Sequence, residues 1–373
     1  MVVSSSEKAA VGAMRDPRAS PRLCGGLRVV SLRATGTDTD TDSHTDSHTD
    51  SDSGPDSPPS RFSHYPKMLP AQCWGARHFK ELCMPVSGPL VTTQWLAAAL
   101  SDPTLRVLDA TVFLHANPNG VGYIPESGHA RWAAAHIPGA QFVDLITAFS
   151  DPHSAVRFTM PAAARFGELA GGLGVGNDST IVIYSSGSPM WATRLWWMFR
   201  SVGLDNCAVL DGGLAKWQRE ERAVTTAVPQ FPAVPLRVAP RPALWADRRD
   251  VLAAMDDAAV CTINALSPSV YSGEQNTYGR AGHIPGSRNV FYHDLLHAAD
   301  ETWHRPEQLR PLFEAVGAYA RPRVICYCGG GISATMDALA LVLTGHPDIA
   351  VYDGSMMEWV ADPALPLSLG MDA

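Results

Sequence analysis

The chain has 373 residues, a formal net charge of −8 and a hydrophobic fraction of 46%, which suits about two domains of ordinary size, each with its own core. The acidic balance leaves no basic stripe to neutralise phosphates, so we exclude a nucleic-acid partner. We also exclude a membrane protein, because no apolar run approaches the ~20 residues needed to span a bilayer.

The first 83 residues are poor in apolar clusters. Residues 37–52 consist only of Thr, Ser, Asp and His, and several prolines follow them. Such a stretch cannot bury enough apolar surface to offset the entropy of ordering it. We therefore predict that residues 1–83 are disordered, or a non-native extension ahead of a true start at Met84. His44 and His48 lie in this tract, and we assign no metal site to them or elsewhere.

The cellular location is predicted from the N-terminus and the cysteines. A segment with Arg15, Arg18 and Arg22 faintly resembles an organelle transit peptide, although the acidic Glu7 and Asp16 interrupt it. The seven cysteines are an odd number in a large core-forming chain, which favours a reducing compartment over a disulfide scaffold. We predict a cytoplasmic protein, with an organelle matrix as the alternative.

Residues 84–227 are predicted to form the first folded domain. Short β-branched runs such as 107–110 and 181–184 alternate with helical stretches such as 161–170 and 192–202. This alternation predicts a parallel sheet flanked by helices, the arrangement of an α/β domain.

The turn motifs of this first domain recur in a second half of the chain. A His-Ile-Pro-Gly motif begins at His136 and at His283, a spacing of 147 residues (283 − 136), and an Asp-Gly turn begins at Asp211 and at Asp353, a spacing of 142 residues (353 − 211). In such turns we expect each aspartate to accept backbone N–H bonds. Proline-rich residues 228–244 predict an extended linker. Residues 245–373 should therefore form a second α/β domain of the same kind.

The most specific chemical signal lies in residues 323–343. This segment begins as a buried strand, passes Cys328 and three glycines, and enters an apolar helical run at Ala334. Cys328 is thereby placed at the carboxyl end of a strand, where open α/β sheets bind ligands. The glycines let backbone N–H groups turn inward and the helix adds partial positive charge, so we expect a nucleophilic thiolate with a lowered pKa. Without the glycines, a lone cysteine here would be interpreted as an inert packed thiol.

In these motifs the chain resembles the rhodanese superfamily, in particular the tandem-domain thiosulfate and 3-mercaptopyruvate sulfurtransferases. The resemblance runs from about residue 92 to about residue 367. It implies two rhodanese-like domains and a sulfurtransferase whose Cys328 takes sulfane sulfur from a small-molecule donor, becomes a persulfide and passes the sulfur on in a ping-pong cycle. The implied acceptor is a thiol, such as thioredoxin or glutathione, or cyanide, and no cofactor is implied.

The resemblance also implies a set of site residues. Cys328 is the catalytic residue, and the substrate-binding residues are Arg280, Gly329, Gly330, Gly331, Ile332 and Ser333. His136 is carried over as a proton-handling residue, with a histidine bonded inside its own turn as the alternative. Thiosulfate-preferring members carry cations inside the loop, whereas Gly329 and Gly330 supply none, so 3-mercaptopyruvate is favoured as the donor. At the position of Cys328 the first half has Ser185, which predicts a catalytically inactive N-terminal domain.

Two other functions compete with this prediction. A rhodanese-related phosphatase needs an arginine six residues after the cysteine to hold the phosphate, and that position is Ala334. The phosphatase is therefore disfavoured. A non-catalytic sulfur-relay or binding module, in which Cys328 accepts a persulfide from a partner protein, stays open.

Overall fold

The computed structural model describes residues 86–118 and 120–371, all of which belong to one compact unit. The extension predicted for residues 1–83 lies outside the described residues, as do His44 and His48. Within the described ranges, no helix is long and apolar enough to cross a membrane, and no cluster of three or more His, Cys, Asp or Glu side chains could hold a metal ion.

The first half contains a five-stranded parallel sheet flanked by helices. Its strands are β1 (Leu90–Val91), β2 (Leu105–Asp109), β3 (Val112–Ala116), β4 (Tyr123–Ser127), β5 (Ala140–Phe142), β6 (Thr180–Tyr184) and β7 (Cys207–Leu210). Its helices are α1 (Thr93–Ala99), α2 (His129–Ala134), α3 (Ala163–Gly172), α4 (Met190–Ser201) and α5 (Gly213–Arg219). The sheet order is β1-β7-β6-β2-β5 with every pair parallel. The antiparallel hairpin β3–β4 stands apart from this sheet and was not predicted.

The second half repeats this arrangement. Its strands are β8 (Trp245–Ala246), β9 (Val260–Asn264), β10 (Arg288–Asn289), β11 (Arg323–Tyr327) and β12 (Ile349–Tyr352). Its α-helices are α6 (Arg248–Ala254), α7 (Pro268–Tyr271), α8 (Pro306–Ala315), α9 (Ala334–Leu343) and α10 (Ser355–Ala361). The sheet order is β8-β12-β11-β9-β10, again all parallel. The prediction of two α/β domains of the same kind is confirmed.

The central strands explain why the sequence shows apolar runs instead of alternation. All of β6 is buried, and β11 is buried except at its first residue. A strand covered by helices on both faces has no solvent side to require polar residues.

Helices α4 and α9 pack against each other and join the two halves in one apolar cluster. At this contact the hydroxyl oxygens of Thr193 and Thr335 lie 2.7 Å apart. The loop between β11 and α9 is thus placed at the junction of the halves.

The two Asp-Gly turns fasten each half to the other. Asp211 accepts the backbone N–H of Trp303 at 2.9 Å, and Asp353 accepts that of Met160 at 2.8 Å. The predicted bonds from carboxylate to backbone N–H are therefore present. The sequence did not reveal that both partners lie in the opposite half.

The linker follows the surface of the first half. Residues 226–241 contain no helix or strand, and a 3-10 helix spans Pro242–Leu244 at the end of the predicted linker. Val234 N donates to Gly171 O at 3.0 Å, and Ala239 N donates to Val202 O at 2.8 Å. A Cβ atom on Gly171 would overlap the Val234 carbonyl oxygen, so this glycine permits the close approach. The boundaries 84–227, 228–244 and 245–373 stay predictions.

Candidate active site

Cys328 lies where β11 ends and the loop into α9 begins. It lines a cavity of about 870 Å³ whose walls come from both halves, including the hairpin β3–β4. The residue is only 2% exposed. A reactant must therefore enter this cavity to reach the thiol.

The backbone N–H groups of the loop fall into two sets. Those of Cys328 and Gly331 donate to the Ser355 hydroxyl at 3.1 and 3.0 Å. The other four have no hydrogen-bond partner within the described part of the chain, and all line the cavity; they belong to Gly329, Gly330, Ile332 and Ser333. The sequence predicted that several N–H groups of the loop turn inward to stabilise an anion. In the structure two N–H groups fix the loop and four are left for a ligand.

Sequence reasoning missed Ser355, which holds the loop in place. Its side chain is fully buried, and its hydroxyl donates to Tyr352 O at 2.7 Å while it accepts the two loop N–H bonds. Its backbone φ is 49°, and the residue that matches it in the first half is Gly213, with φ of 53°. Glycine has no hydroxyl, so the first half lacks this support beside Ser185. A comparison of the two Asp-Gly turns could have revealed the difference.

Two of the loop glycines are required by close approaches. A Cβ atom on Gly329 would overlap the Tyr278 hydroxyl. One on Gly331, where φ is 73°, would lie 2.7 Å from the Asp353 carbonyl oxygen. A larger residue at either position would displace the loop or its neighbours.

Cys328 differs from the other cysteines of the described chain. Cys207, Cys261 and Cys326 are buried, and burial raises the pKa of each of these thiols above its usual value. None of the three lines the cavity. Among the cysteines that the structure describes, Cys328 is the one in position to react.

Arg194 of the first half holds the loop of the second half. Its side chain is 1% exposed, and Nη2 lies 2.7 Å from Asp353 Oδ1. Nη1 donates to Gly331 O at 3.2 Å, and Nη2 donates to Phe158 O at 2.6 Å. The guanidinium also lies 4.8 Å from the ring centroid of Trp245. One buried cation therefore connects the catalytic loop and the Asp353 turn of the second half to the Phe158 loop of the first half.

The cavity wall is largely aromatic. Its ring side chains include Phe113, Tyr123, Phe158, Trp191, Tyr278, Phe291 and Tyr292. Burial raises the pKa of Tyr292 to about 12 and that of Tyr278 well above its usual value, so both phenols stay neutral at physiological pH. Arg157 is the one Arg, Lys, Asp, Glu or His among the described lining residues. The cavity therefore combines aromatic surface with one cation.

The structure does not bring Arg280 to this cavity. Its Nη1 donates to Asp362 O at 2.9 Å and its Nη2 to Leu365 O at 2.8 Å, and it is absent from the lining. Both ends of the guanidinium are thus occupied by backbone carbonyls near the C-terminus. The expected contact with a substrate carboxylate finds no support in this placement.

His136 also lies away from Cys328. It is fully buried in the first half, and Nδ1 lies 2.8 Å from Trp132 O and Nε2 3.1 Å from Ala227 O. Its ring stacks on that of Trp132, with centroids 4.6 Å apart. These contacts support the alternative of a histidine held in its own turn over a proton-handling role.

Asp337 is a buried carboxyl in the first turn of α9. Its side chain is fully buried, and neither oxygen has a hydrogen-bond partner within the described chain. Burial raises the pKa of this carboxyl well above its usual value, and the negative charge of the Cys328 thiolate raises it further. Because an unpaired buried carboxylate is costly, folding favours the protonated form of this group.

We expect Asp337→Asn to stabilise the protein increasingly as the pH rises. The unfolded-state pKa of aspartate is about 3.9 and the folded-state pKa is higher. The contribution of Asp337 to the stability of the wild type is therefore fully present below pH ~4 and is lost as the pH rises toward the folded-state pKa. Over that window the difference in free energy of unfolding should grow by more than about 1 kcal/mol per pH unit. Denaturant titrations of both proteins at several pH values measure it. Parallel stability curves would contradict the assignment.

Comparison with known proteins assigns this chain to a protein family. The family described as the rhodanese-like domain matches residues 92–220 and again residues 250–362. The chain belongs to the rhodanese family. This rhodanese is 33% identical over 295 residues to the thiosulfate sulfurtransferase of Rattus norvegicus, with 75% of this chain and 95% of the relative covered. It is 32% identical over 282 residues to the 3-mercaptopyruvate sulfurtransferase of Homo sapiens, with 72% and 91% covered.

A solved structure supports the same relationship. The 3-mercaptopyruvate sulfotransferase SseA from Escherichia coli matches with a TM-score of 0.63 and 29% sequence identity, over 72% of this chain and 99% of that chain. This rhodanese is therefore a sulfurtransferase with two rhodanese domains in tandem, as the sequence predicted. Relatives named for both donors match it at nearly equal identity, so the donor must be argued from the site.

Proposed function

We propose that this rhodanese moves sulfane sulfur from a small donor to a thiol or cyanide acceptor through a persulfide on Cys328. The observation that carries the proposal is the position of Cys328, which lines the cavity beside four N–H groups without a partner in the described chain. The Cys328 thiolate attacks the transferable sulfur of the donor. A bond from Sγ to that sulfur forms while the donor's own bond to it breaks, and the leaving group keeps the electron pair.

The second half of the cycle restores the thiolate. The acceptor attacks the outer sulfur, the bond from that sulfur to Sγ breaks, and Sγ regains the electron pair. Between the two steps the outer sulfur carries negative charge. The four N–H groups of the loop and the N-terminus of α9 stabilise this charge, which explains the need for a glycine-rich turn at this point.

We infer that 3-mercaptopyruvate is used better than thiosulfate. Gly329 and Gly330 supply no charge, and Arg157 is the one cationic side chain among the described lining residues. A monocarboxylate needs one cation, whereas the thiosulfate dianion would bring a second charge into an aromatic cavity with no fixed countercharge. Arg157 takes the place that the sequence had suggested for Arg280.

The test is the ratio of kcat/KM for the two donors, with cyanide as the acceptor. We expect 3-mercaptopyruvate to exceed thiosulfate by about tenfold or more, which is about 1.4 kcal/mol in transition-state free energy. A tenfold preference for thiosulfate would reverse the donor assignment. No turnover with either donor would instead favour the sulfur-relay module, in which a partner protein loads Cys328.

A further inference from the structure

The cavity beside Cys328 is larger than the small donors require. Its volume is about 870 Å³, in the range of pockets that enclose drug-sized ligands, whereas 3-mercaptopyruvate has only three carbons. If the proposed ping-pong cycle is correct, on which this inference rests, donor and acceptor occupy the same cavity in turn. The larger of the two then sets its size, and this points to the acceptor.

The wall offers ring surfaces at several angles. Phe158 and Trp191 meet edge to face with centroids 5.0 Å apart, and Phe291 and Tyr292 do so at 5.2 Å. Tyr278 lies against Gly329 of the catalytic loop. Aromatic walls of this kind favour a planar ring over a flexible polar chain, because the ring gains stacking or edge contacts and loses little conformational entropy.

Arg157 supplies the one fixed charge among the described residues of this wall. The next residue, Phe158, has φ of 67°, a costly conformation for a bulky side chain. It is held there by Arg194, which donates to its carbonyl oxygen, and by the ring contact with Trp191. The guanidinium of Arg157 is exposed, makes a long 3.4 Å bond to Tyr123 O, and forms no ion pair within the described residues. It can therefore receive a carboxylate.

The burial of Cys328 favours a small molecule over a protein as the acceptor. With 2% of the residue exposed, a thiol on a folded protein surface would have to project into the cavity to reach Sγ. A small molecule that fits the cavity meets no such barrier.

We propose that the acceptor is a small thiol with an aromatic or heteroaromatic ring and a carboxylate that pairs with Arg157. Its thiolate attacks the outer sulfur of the Cys328 persulfide and forms an S–S bond to it. The bond from that sulfur to Sγ breaks, the electron pair returns to Sγ, and the acceptor leaves as a persulfide. No external oxidant or reductant is needed.

The experiment isolates this second half-reaction. The full chain is loaded with a sulfur donor and desalted, and the Cys328 persulfide is confirmed by mass spectrometry. Second-order transfer rates are then measured for 4-(mercaptomethyl)benzoate, for benzyl thiol, which lacks the carboxylate, and for 3-mercaptopropionate, which lacks the ring. Each rate is divided by the rate at which the same thiol attacks a small-molecule disulfide, which removes differences in thiolate fraction and intrinsic reactivity. We expect 4-(mercaptomethyl)benzoate to react about tenfold or more faster than 3-mercaptopropionate.

Two variants separate the charge from the ring. Arg157→Gln should slow transfer to 4-(mercaptomethyl)benzoate by about three- to tenfold and leave benzyl thiol unchanged. Arg165→Gln is the matched control, because Arg165 is an exposed arginine on α3 that pairs with Glu168 and does not line the cavity. It should change neither rate.

The outcomes distinguish this inference from the function on which it rests. Equal rates for the ring and ringless thiols, or an unchanged Arg157→Gln, would overturn the inference. Faster transfer to reduced thioredoxin than to the aromatic probe would do the same and identify a protein acceptor. If the persulfide forms and passes its sulfur to cyanide while the ring gives no advantage, the proposed function stands alone. If no donor yields a persulfide, both fail.

Discussion

Cys328→Ser is expected to lower kcat/KM for sulfur transfer by at least about 10³-fold with either donor. A serine hydroxyl is a poor nucleophile without a base, and no His, Asp, Glu or Lys is among the described residues that line the cavity. Steady-state assays measure the loss. Mass spectrometry after incubation with donor should show one added sulfur on the peptide that contains Cys328 in the wild type, and none in the variant.

Cys326→Ala is the matched control for this prediction. Cys326 lies two residues earlier on β11 and is fully buried, and burial holds the pKa of its thiol well above the usual value. Its replacement should lower stability and leave sulfur loading intact. Full activity in Cys328→Ser, or sulfur on a cysteine other than Cys328, would contradict the assignment of the nucleophile.

Arg194→Leu is expected to lower the free energy of unfolding by about 3–5 kcal/mol. The substitution leaves Asp353 without its partner at 2.7 Å and removes the donors to Gly331 O and Phe158 O. Because Gly331 belongs to the catalytic loop, kcat/KM should fall as well, at temperatures where the variant is still folded. Denaturant unfolding and sulfur-transfer assays on the same preparation measure both effects.

Arg200→Leu provides the comparison on the same helix. Arg200 pairs with Asp205 at 3.6 Å, and its side chain is 32% exposed, so its loss should cost about 1 kcal/mol or less and leave the activity unchanged. Arg194→Lys keeps the charge without the planar guanidinium and should fall between wild type and Arg194→Leu. If Arg194→Leu unfolds like wild type, the cross-domain ion pair is not what holds the loop.

These expectations give the first half a role although Ser185 stands at its nucleophile position. It supplies Arg194, the hairpin β3–β4 and several aromatic residues of the cavity wall. A single copy of the second half would lack the cation that fixes its loop. The inactivity of the first half, like the cytoplasmic location, stays a prediction.

The sequence by itself determined the features whose causes are local. An apolar run, a glycine turn and an apolar helix follow one another within residues 323–343, and this order alone places Cys328 at a strand-to-helix junction. The repeated His-Ile-Pro-Gly and Asp-Gly motifs predicted the two α/β halves, because each turn needs the same residues wherever it occurs. The aspartates of the Asp-Gly turns were correctly expected to bind backbone N–H groups.

Only the tertiary structure decided which distant side chains complete the site. Arg157, Arg194 and Ser355 come from separate segments of both halves, and no local pattern shows that they serve one site. Arg280 lies beside a recognisable motif, yet its guanidinium binds the carbonyl oxygens of Asp362 and Leu365. The direction of a long side chain depends on which acceptors the folded chain brings within its reach, and residues about 80 positions away along the chain supply them here.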